Sequence, residues 1–225
     1  ASAYFGVFVS LLAYGIGTLL RKKWKLAMLN PILIAVVLII VLLSVCHIDY
    51  TVYNEGAKYL SYLLTPATVC LAVPLYEQLE LLKQNYKAVL AGIVSGVLTS
   101  LTCVLAMAAL LNLDHAAYVT LLPKSITTAI GMGVAEEAGG IVTITIVSII
   151  FTGILGNIVA EGWFKLVGIR EPIAKGLALG TAAHAIGTSK ALELGEVEGA
   201  MSSLSIAVAG LMTVIAVPLM AGLIG

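Results

Sequence analysis

Two stretches of this chain place hydroxyl groups beside helix-breaking residues, a pattern that suits binding of a small anion. The first follows Pro123-Lys124 and carries the hydroxyls of Ser125, Thr127 and Thr128. Such hydroxyls, together with amides freed at the start of a helix, can hydrogen-bond a carboxylate. The structural alternative stays open, because Ser and Thr in membrane helices commonly bond to the carbonyl four residues earlier.

The second stretch centres on His184, which lies between Gly180 and Gly187. Three hydroxyl residues surround it: Thr181, Thr188 and Ser189. Glycine allows the backbone to approach closely and its amides to point at an anion. His184 would then orient a carboxylate or carry a proton near neutral pH. A purely structural histidine is the alternative.

Glu136 and Glu137 are the candidates for coupling a proton or cation to transport. Ionised groups in a membrane segment are costly and usually face a cavity or a partner. The alternative is that this part of the chain reaches headgroup depth, which would leave a carboxylate solvated.

The elements that position these residues lie in lipid. Hydrophobic residues make up 60% of the 225 residues and charged residues 11%, far below the ~25% of soluble domains. The formal net charge of zero gives no basic surface for nucleic acid. The three cysteines lack metal-ligand spacing, so we expect small buried hydrophobes. No hydrolase, zinc-protease or nucleotide-binding motif is present, so we expect no enzyme, cofactor or metal site.

Apolar stretches of about 20 residues predict an all-α, polytopic membrane protein. The predicted plain spans are 3–20, 29–45, 88–111, 142–167 and 200–224, with 77–87 as a charged connector. Three further segments, 56–76, 118–141 and 173–194, are predicted to be broken or re-entrant helices. Their expected break positions are Pro66, Pro74, Pro123, Gly131, Gly133, Gly180 and Gly187.

Basic residues support the re-entrant interpretation. Nine of the twelve Lys and Arg residues form three clusters: Arg21, Lys22, Lys23 and Lys25; Lys83 and Lys87; Lys165, Arg170 and Lys175. All three clusters are cytoplasmic if the N-terminus lies outside and 118–141 returns to the face it enters. Paired broken elements of this kind indicate a substrate or ion pathway. A weak echo between 63–66 and 121–123 makes an inverted repeat one interpretation.

Longer motifs resemble the LrgB/CidB family of bacterial membrane proteins over essentially the whole chain. The resemblance rests on 53–58, 64–69, 72–76 and 122–125, and most specifically on 173–188 and 191–200. It implies a single LrgB-like membrane domain over 1–225. We divide it into two spanning helices (1–56), a broken helix plus span (57–112), and two re-entrant elements each followed by a span (113–168 and 169–225). Ala129 and Gly131 depart from the family's Pro and Ala, so the break after Thr128 is less sharply defined.

The resemblance also implies function. Family members are described as holin- or antiholin-like regulators of murein hydrolase export and cell lysis that act with a small LrgA/CidA-like partner. Relatives include a plastid glycolate/glycerate transporter, and some bacterial pairs are linked to pyruvate uptake. We therefore expect a multi-pass protein of the bacterial inner membrane that moves a small monocarboxylate, with proton coupling as a hypothesis and a homodimer as the expected assembly. The alternative is a pore or regulator that works by oligomerising with its partner.

Overall fold

The computed structural model describes residues 4–24, 29–70 and 72–224, and helices dominate these ranges. In chain order the helices are α1 (Phe5–Trp24), α2 (Pro31–Val45), α3 (Tyr50–Ser61), α4 (Leu64–Cys70), α5 (Ala72–Glu77), α6 (Leu79–Leu110), α7 (His115–Leu121), α8 (Thr128–Glu137), α9 (Val142–Val167), α10 (Pro172–Leu194) and α11 (Glu196–Ala221). Helices α1, α6, α9 and α11 are long and apolar enough to cross a membrane. The all-α, multi-pass prediction is confirmed.

The helices fall into two compact units, residues 1–70 and residues 71–225. In the first unit α1 packs against α2 and α3, and the Ser10 and Tyr53 hydroxyls lie 2.7 Å apart. Asn30 caps α2 by accepting a 2.8 Å hydrogen bond from the Ile32 amide. Helix α2 has 15 residues, about 22 Å at ~1.5 Å per residue, so it is shorter than a full span of ~30 Å.

The predicted broken segment 56–76 contains the end of α3 and the short helices α4 and α5. Pro66 and Pro74 are each the third residue of a short helix, where the missing N–H has no helical partner to lose. The helical chain is interrupted before Pro66, between α3 and α4, whereas Leu71, which precedes α5 and Pro74, lies outside the described residues. Asp49 caps α3, and hydrogen bonds from the Thr51 hydroxyl and amide hold the pKa of Asp49 below its ordinary value.

Helix α6 runs through the core of the second unit. Its buried residues recur every three or four positions and form one face: Val89, Ile93, Val97, Leu101, Val104 and Ala108. The prediction of a connector over 77–87 is wrong, because α6 already begins at Leu79. Glu80, Lys83 and Gln84 are good helix formers, and 32 residues span about 48 Å, so α6 extends beyond the hydrocarbon core.

The two ends of the segment 118–141 lie next to each other, so the segment is re-entrant. Helix α7 leads into the loop 122–127, and α8 leads back. The Ile141 amide donates a 2.8 Å hydrogen bond to the Thr120 hydroxyl, and the Thr145 hydroxyl donates to the Thr120 carbonyl at 2.9 Å. Entry and exit of the segment therefore lie side by side, as the charge pattern required.

The second re-entrant element is α10, whose backbone breaks at His184 (φ 42°, ψ −133°). A methyl group placed on Gly187 would lie 2.5 Å from the Leu179 carbonyl oxygen. These residues would be about 12 Å apart along a straight helix. The arms 172–183 and 185–194 therefore lie against each other as a hairpin.

The four glycines predicted as break positions are helical, so those predictions are wrong: Gly131 and Gly133 in α8, Gly180 and Gly187 in α10. Gly180 instead allows close packing, since a methyl group there would lie 2.5 Å from the Ser202 carbonyl oxygen of α11. Pro123 does lie in the loop between α7 and α8.

Close packing at Gly180 yields a stability prediction. Gly180→Ala should lower the free energy of unfolding by about 1–3 kcal/mol, because the added methyl group meets backbone and cannot be accommodated without moving the hairpin. Gly133→Ala is the matched control, since its methyl group would meet nothing within 4 Å. Thermal melting in detergent checks both variants. Equal melting temperatures for the two would contradict the packing role of Gly180.

Candidate functional site

A cavity of about 740 Å³ lies in the second unit between α6 and the first arm of α10. Asn85 and Glu171 line one end, and Ser100, Lys124 and Ser125 line the other. Asn85 and Ser100 are separated by about 22 Å along α6, at ~1.5 Å per residue. The cavity therefore reaches from one end of the unit to the loop of the first re-entrant element.

Small side chains create the cavity. On α6 they recur at helical spacing, and α10 supplies matching small residues: Ala88, Gly92, Ser95, Gly96 and Thr99 face Ala174, Ala178 and Ala182. A methyl group on Gly96 would lie 2.7 Å from the Thr181 hydroxyl oxygen, and one on Gly92 would lie 2.8 Å from a Leu177 methyl carbon. The two helices thus approach closely at these glycines while open space remains beside them.

Lys124 and two serines form the inner end of the cavity. The Lys124 ammonium lies 3.0 Å from the Ser125 hydroxyl oxygen and 3.5 Å from that of Ser100. The Ser100 hydroxyl donates a 2.9 Å hydrogen bond to Ser125. Ser125 accepts both bonds, so its own hydroxyl hydrogen remains available to a ligand. The arrangement presents O–H and N–H donors to the cavity.

The charge of Lys124 is not neutralised by the protein. Among the described residues Lys124 makes no ion pair, and its hydrogen-bond partners are neutral hydroxyls. An unpaired ammonium at membrane depth is costly, and an anion beside it removes much of that cost. The inner end of the cavity is therefore chemically suited to one negative charge.

Little space remains in the core behind Lys124. A void of only about 10 Å³, room for at most one water molecule, lies behind Ser100, Ser125 and Thr181. Its remaining walls are largely apolar and include Val97, Leu101, Leu122, Ile126 and Ala209. The cavity therefore does not continue past Lys124 in this direction, whereas the lining residues Ser95, Thr99, Cys103 and Ala182 are exposed along its side.

The structure brings together only part of the predicted site. Ser125 and Thr181 line the cavity, and the Thr181 hydroxyl also donates a 2.8 Å hydrogen bond to the Leu177 carbonyl. Thr127 and Thr128 are half-buried at the start of α8 and do not line it. Glu136 and Glu137 are exposed at the end of α8, away from the cavity lining.

His184 holds the hairpin to α9. Its Nε2 donates a 2.9 Å hydrogen bond to the Ile149 carbonyl, and the Asn157 amide donates to the Ile186 carbonyl at 3.1 Å. The Thr188 hydroxyl donates to the His184 carbonyl at 3.0 Å, so the Ser202 hydroxyl, 2.7 Å away, donates to Thr188. These bonds satisfy polar groups at the break.

Consequently the second predicted cluster is divided. His184, Gly187 and Thr188 lie in the packing between helices and do not line the cavity. Ser189 is exposed, with its hydroxyl 3.3 Å from the Ala185 carbonyl. Only Thr181 of this cluster contributes to the cavity wall.

Sequence reasoning did not include Lys124 among the candidate site residues, although it directly precedes Ser125. The repeated small residues of α6 were a usable signal for a cavity wall and were overlooked. All three cysteines are exposed, which overturns the expected burial. Cys103 lines the cavity.

The strained backbone at His184 gives a prediction that separates its conformation from its hydrogen bond. Both His184→Gly and His184→Ala lose the bond to Ile149 and keep the positive φ of this position, but only alanine is strained there, at a cost of roughly 1 kcal/mol. We expect His184→Ala to melt at a lower temperature than His184→Gly. The reverse order would contradict a mainly structural role.

Comparison with known proteins identifies the family. The sequence model of the LrgB-like family matches residues 10–223. The chain is 42% identical over 223 residues to proteins named Antiholin-like protein LrgB from Bacillus mycoides, Bacillus cereus and Bacillus anthracis, covering 99% of this chain and 97% of each relative. No solved structure gives a significant match. With the family signature spanning nearly its full length, this chain belongs to the LrgB-like family.

Proposed function

We propose that this protein carries small monocarboxylate anions across the bacterial inner membrane and that Lys124 binds the carboxylate. The observation that carries the proposal is the ammonium of Lys124, without a counterion among the described residues, at one end of a cavity. One carboxylate would accept hydrogen bonds from Lys124 and Ser125, while the small-residue walls leave room for a short carbon chain.

Two re-entrant elements build this site, which is the arrangement expected of a secondary transporter. Lys124 belongs to the loop of the first element and Thr181 to the first arm of the second. A movement that separates them would open the apolar wall behind Ser125. We propose proton coupling for the same cycle, with Glu136 and Glu137 at the end of α8 as candidate proton carriers.

The positions of the Lys and Arg residues support one orientation of the protein in the membrane. Lys83 and Lys87 lie near Asn85 on α6, and Arg170 and Lys175 flank the cavity-lining Glu171, so these basic clusters lie at the end of the cavity that is opposite Lys124. The positive-inside rule places that end in the cytoplasm. We propose the N-terminus outside on the same rule.

The relatives are named antiholin-like, and we propose that transport underlies a role in controlling murein hydrolase activity and cell lysis. Movement of a weak-acid anion with a proton changes the proton-motive force, and this change would connect transport with the control of murein hydrolase activity. We further propose a small LrgA/CidA-like partner and a homodimer. The second candidate function, a pore or regulator formed by oligomerisation with that partner, rests on the relatives' name and does not require Lys124.

Uptake by proteoliposomes tests the proposal. Labelled pyruvate, glycolate or lactate should enter vesicles that hold this protein above the level of empty vesicles. Lys124→Gln should reduce the initial rate at subsaturating substrate about tenfold or more, because a hydrogen bond to a charged group contributes about 1.5–3 kcal/mol. Lys83→Gln, which removes an exposed charge from α6, is the matched control and should leave uptake unchanged.

Absence of uptake, with and without a pH gradient, would exclude a stand-alone carrier. If the small partner restored uptake, the protein would be one half of a two-part carrier. Uptake that persists fully in Lys124→Gln would dismiss this cavity as the carboxylate site.

A further inference from the structure

A second pocket, of about 350 Å³, lies at the base of the α10 hairpin. The last two turns of α9, the turn that follows it and both ends of α10 enclose the pocket. It is lined by Glu161, Phe164, Lys165, Gly168, Ile169, Arg170, Lys175 and Leu194. Gly168 adopts positive φ (78°) and ends α9, which turns Arg170 back toward Lys175. The pocket is distinct from the cavity that holds Lys124.

Three cations converge on this pocket without a bonded partner. Lys165, Arg170 and Lys175 make no hydrogen bond or ion pair with another described residue. The lining carboxylate, Glu161, is already bonded to Lys190, which also lies 3.3 Å from Glu193. Glu161 also attracts Lys165 electrostatically, but one carboxylate does not balance three cations. The three cations therefore favour a shared anion with several oxygen atoms, such as a phosphate group.

The surroundings of the pocket distinguish a lipid phosphate from a free one. Phe164, Ile169 and Leu194 supply apolar walls. On the same end of α9, Trp163 and Leu166 are 58% and 78% exposed, and a tryptophan at the end of a spanning helix is typical of headgroup depth. A phosphate bound here would thus lie beside a hydrocarbon-facing surface.

We propose that this pocket binds the phosphate of an anionic phospholipid, with Lys165, Arg170 and Lys175 as its ligands and the acyl chains along the exposed face of α9. Basic pockets of this kind between helices are known binding sites for anionic headgroups. The lipid contacts the first arm of the hairpin through Lys175 and the second through Leu194. It therefore fastens the base of the hairpin to α9, next to the Lys190–Glu161 ion pair.

Thermal melting of the purified full chain in neutral detergent tests the proposal without requiring transport. Added phosphatidylglycerol should raise the melting temperature by about 3 °C or more, whereas phosphatidylcholine and inorganic phosphate should not. The double variant Arg170→Gln/Lys175→Gln should lose at least half of the shift. Lys83→Gln/Lys87→Gln is the matched control, because it removes two exposed charges from α6 outside the pocket and should keep the full shift.

Each variant is compared with itself with and without lipid, so lower basal stability does not obscure the result. A full phosphatidylglycerol shift in Arg170→Gln/Lys175→Gln would overturn the proposal. An equal shift with inorganic phosphate alone would also overturn it, since the site would then bind a soluble anion. Loss of the shift in the control as well would show diffuse charge attraction and not a pocket.

Discussion

The second unit depends on one constraint: the polar backbone groups at the His184 break need hydrogen-bond partners inside the protein. Within a membrane, polar backbone groups released by a break must find partners inside the protein. The Thr188 hydroxyl donates to the His184 carbonyl, and the Asn157 amide of α9 donates to the Ile186 carbonyl. The His184 ring fastens the break to α9 through the Ile149 carbonyl. Because the break is held in this way, α10 folds back as a hairpin. Its first arm then becomes a wall of the cavity.

The same geometry explains the position of the charge. The loop of the first re-entrant element carries Lys124 to the end of the cavity walled by α6 and α10, where hydroxyls but no carboxylate surround it among the described residues. Lys190, by contrast, is paired with Glu161 and Glu193. The buried Lys190 thus serves the packing of the hairpin, whereas the half-buried Lys124 has no carboxylate partner among the described residues.

Periodicity and charge predicted much of this architecture. The predicted span Val142–Val167 matches α9. The positions of the basic residues predicted that 118–141 returns to the face it enters, and the hydrogen bond from Ile141 to Thr120 joins the two ends of this segment. The individual roles of glycine and histidine were less accessible. A glycine in an apolar segment is compatible either with a helix break or with close packing of two helices. Gly180 allows close packing, because the backbone of Ser202 lies opposite it. Such neighbours come from distant parts of the chain, so local sequence could not assign His184 to packing or Lys124 to the cavity.

Protection of Cys103 tests binding at the cavity most directly. Cys46→Ser with Cys70→Ser leaves Cys103 as the one remaining cysteine, and Cys103 lines the same cavity as Lys124. Its rate of labelling by a membrane-impermeant thiol reagent should fall several-fold when pyruvate or lactate is present at saturation. The same addition should have no effect when Lys124→Gln is also introduced. A labelling rate that is equal with and without the carboxylate would contradict the central claim that this cavity binds the transported anion.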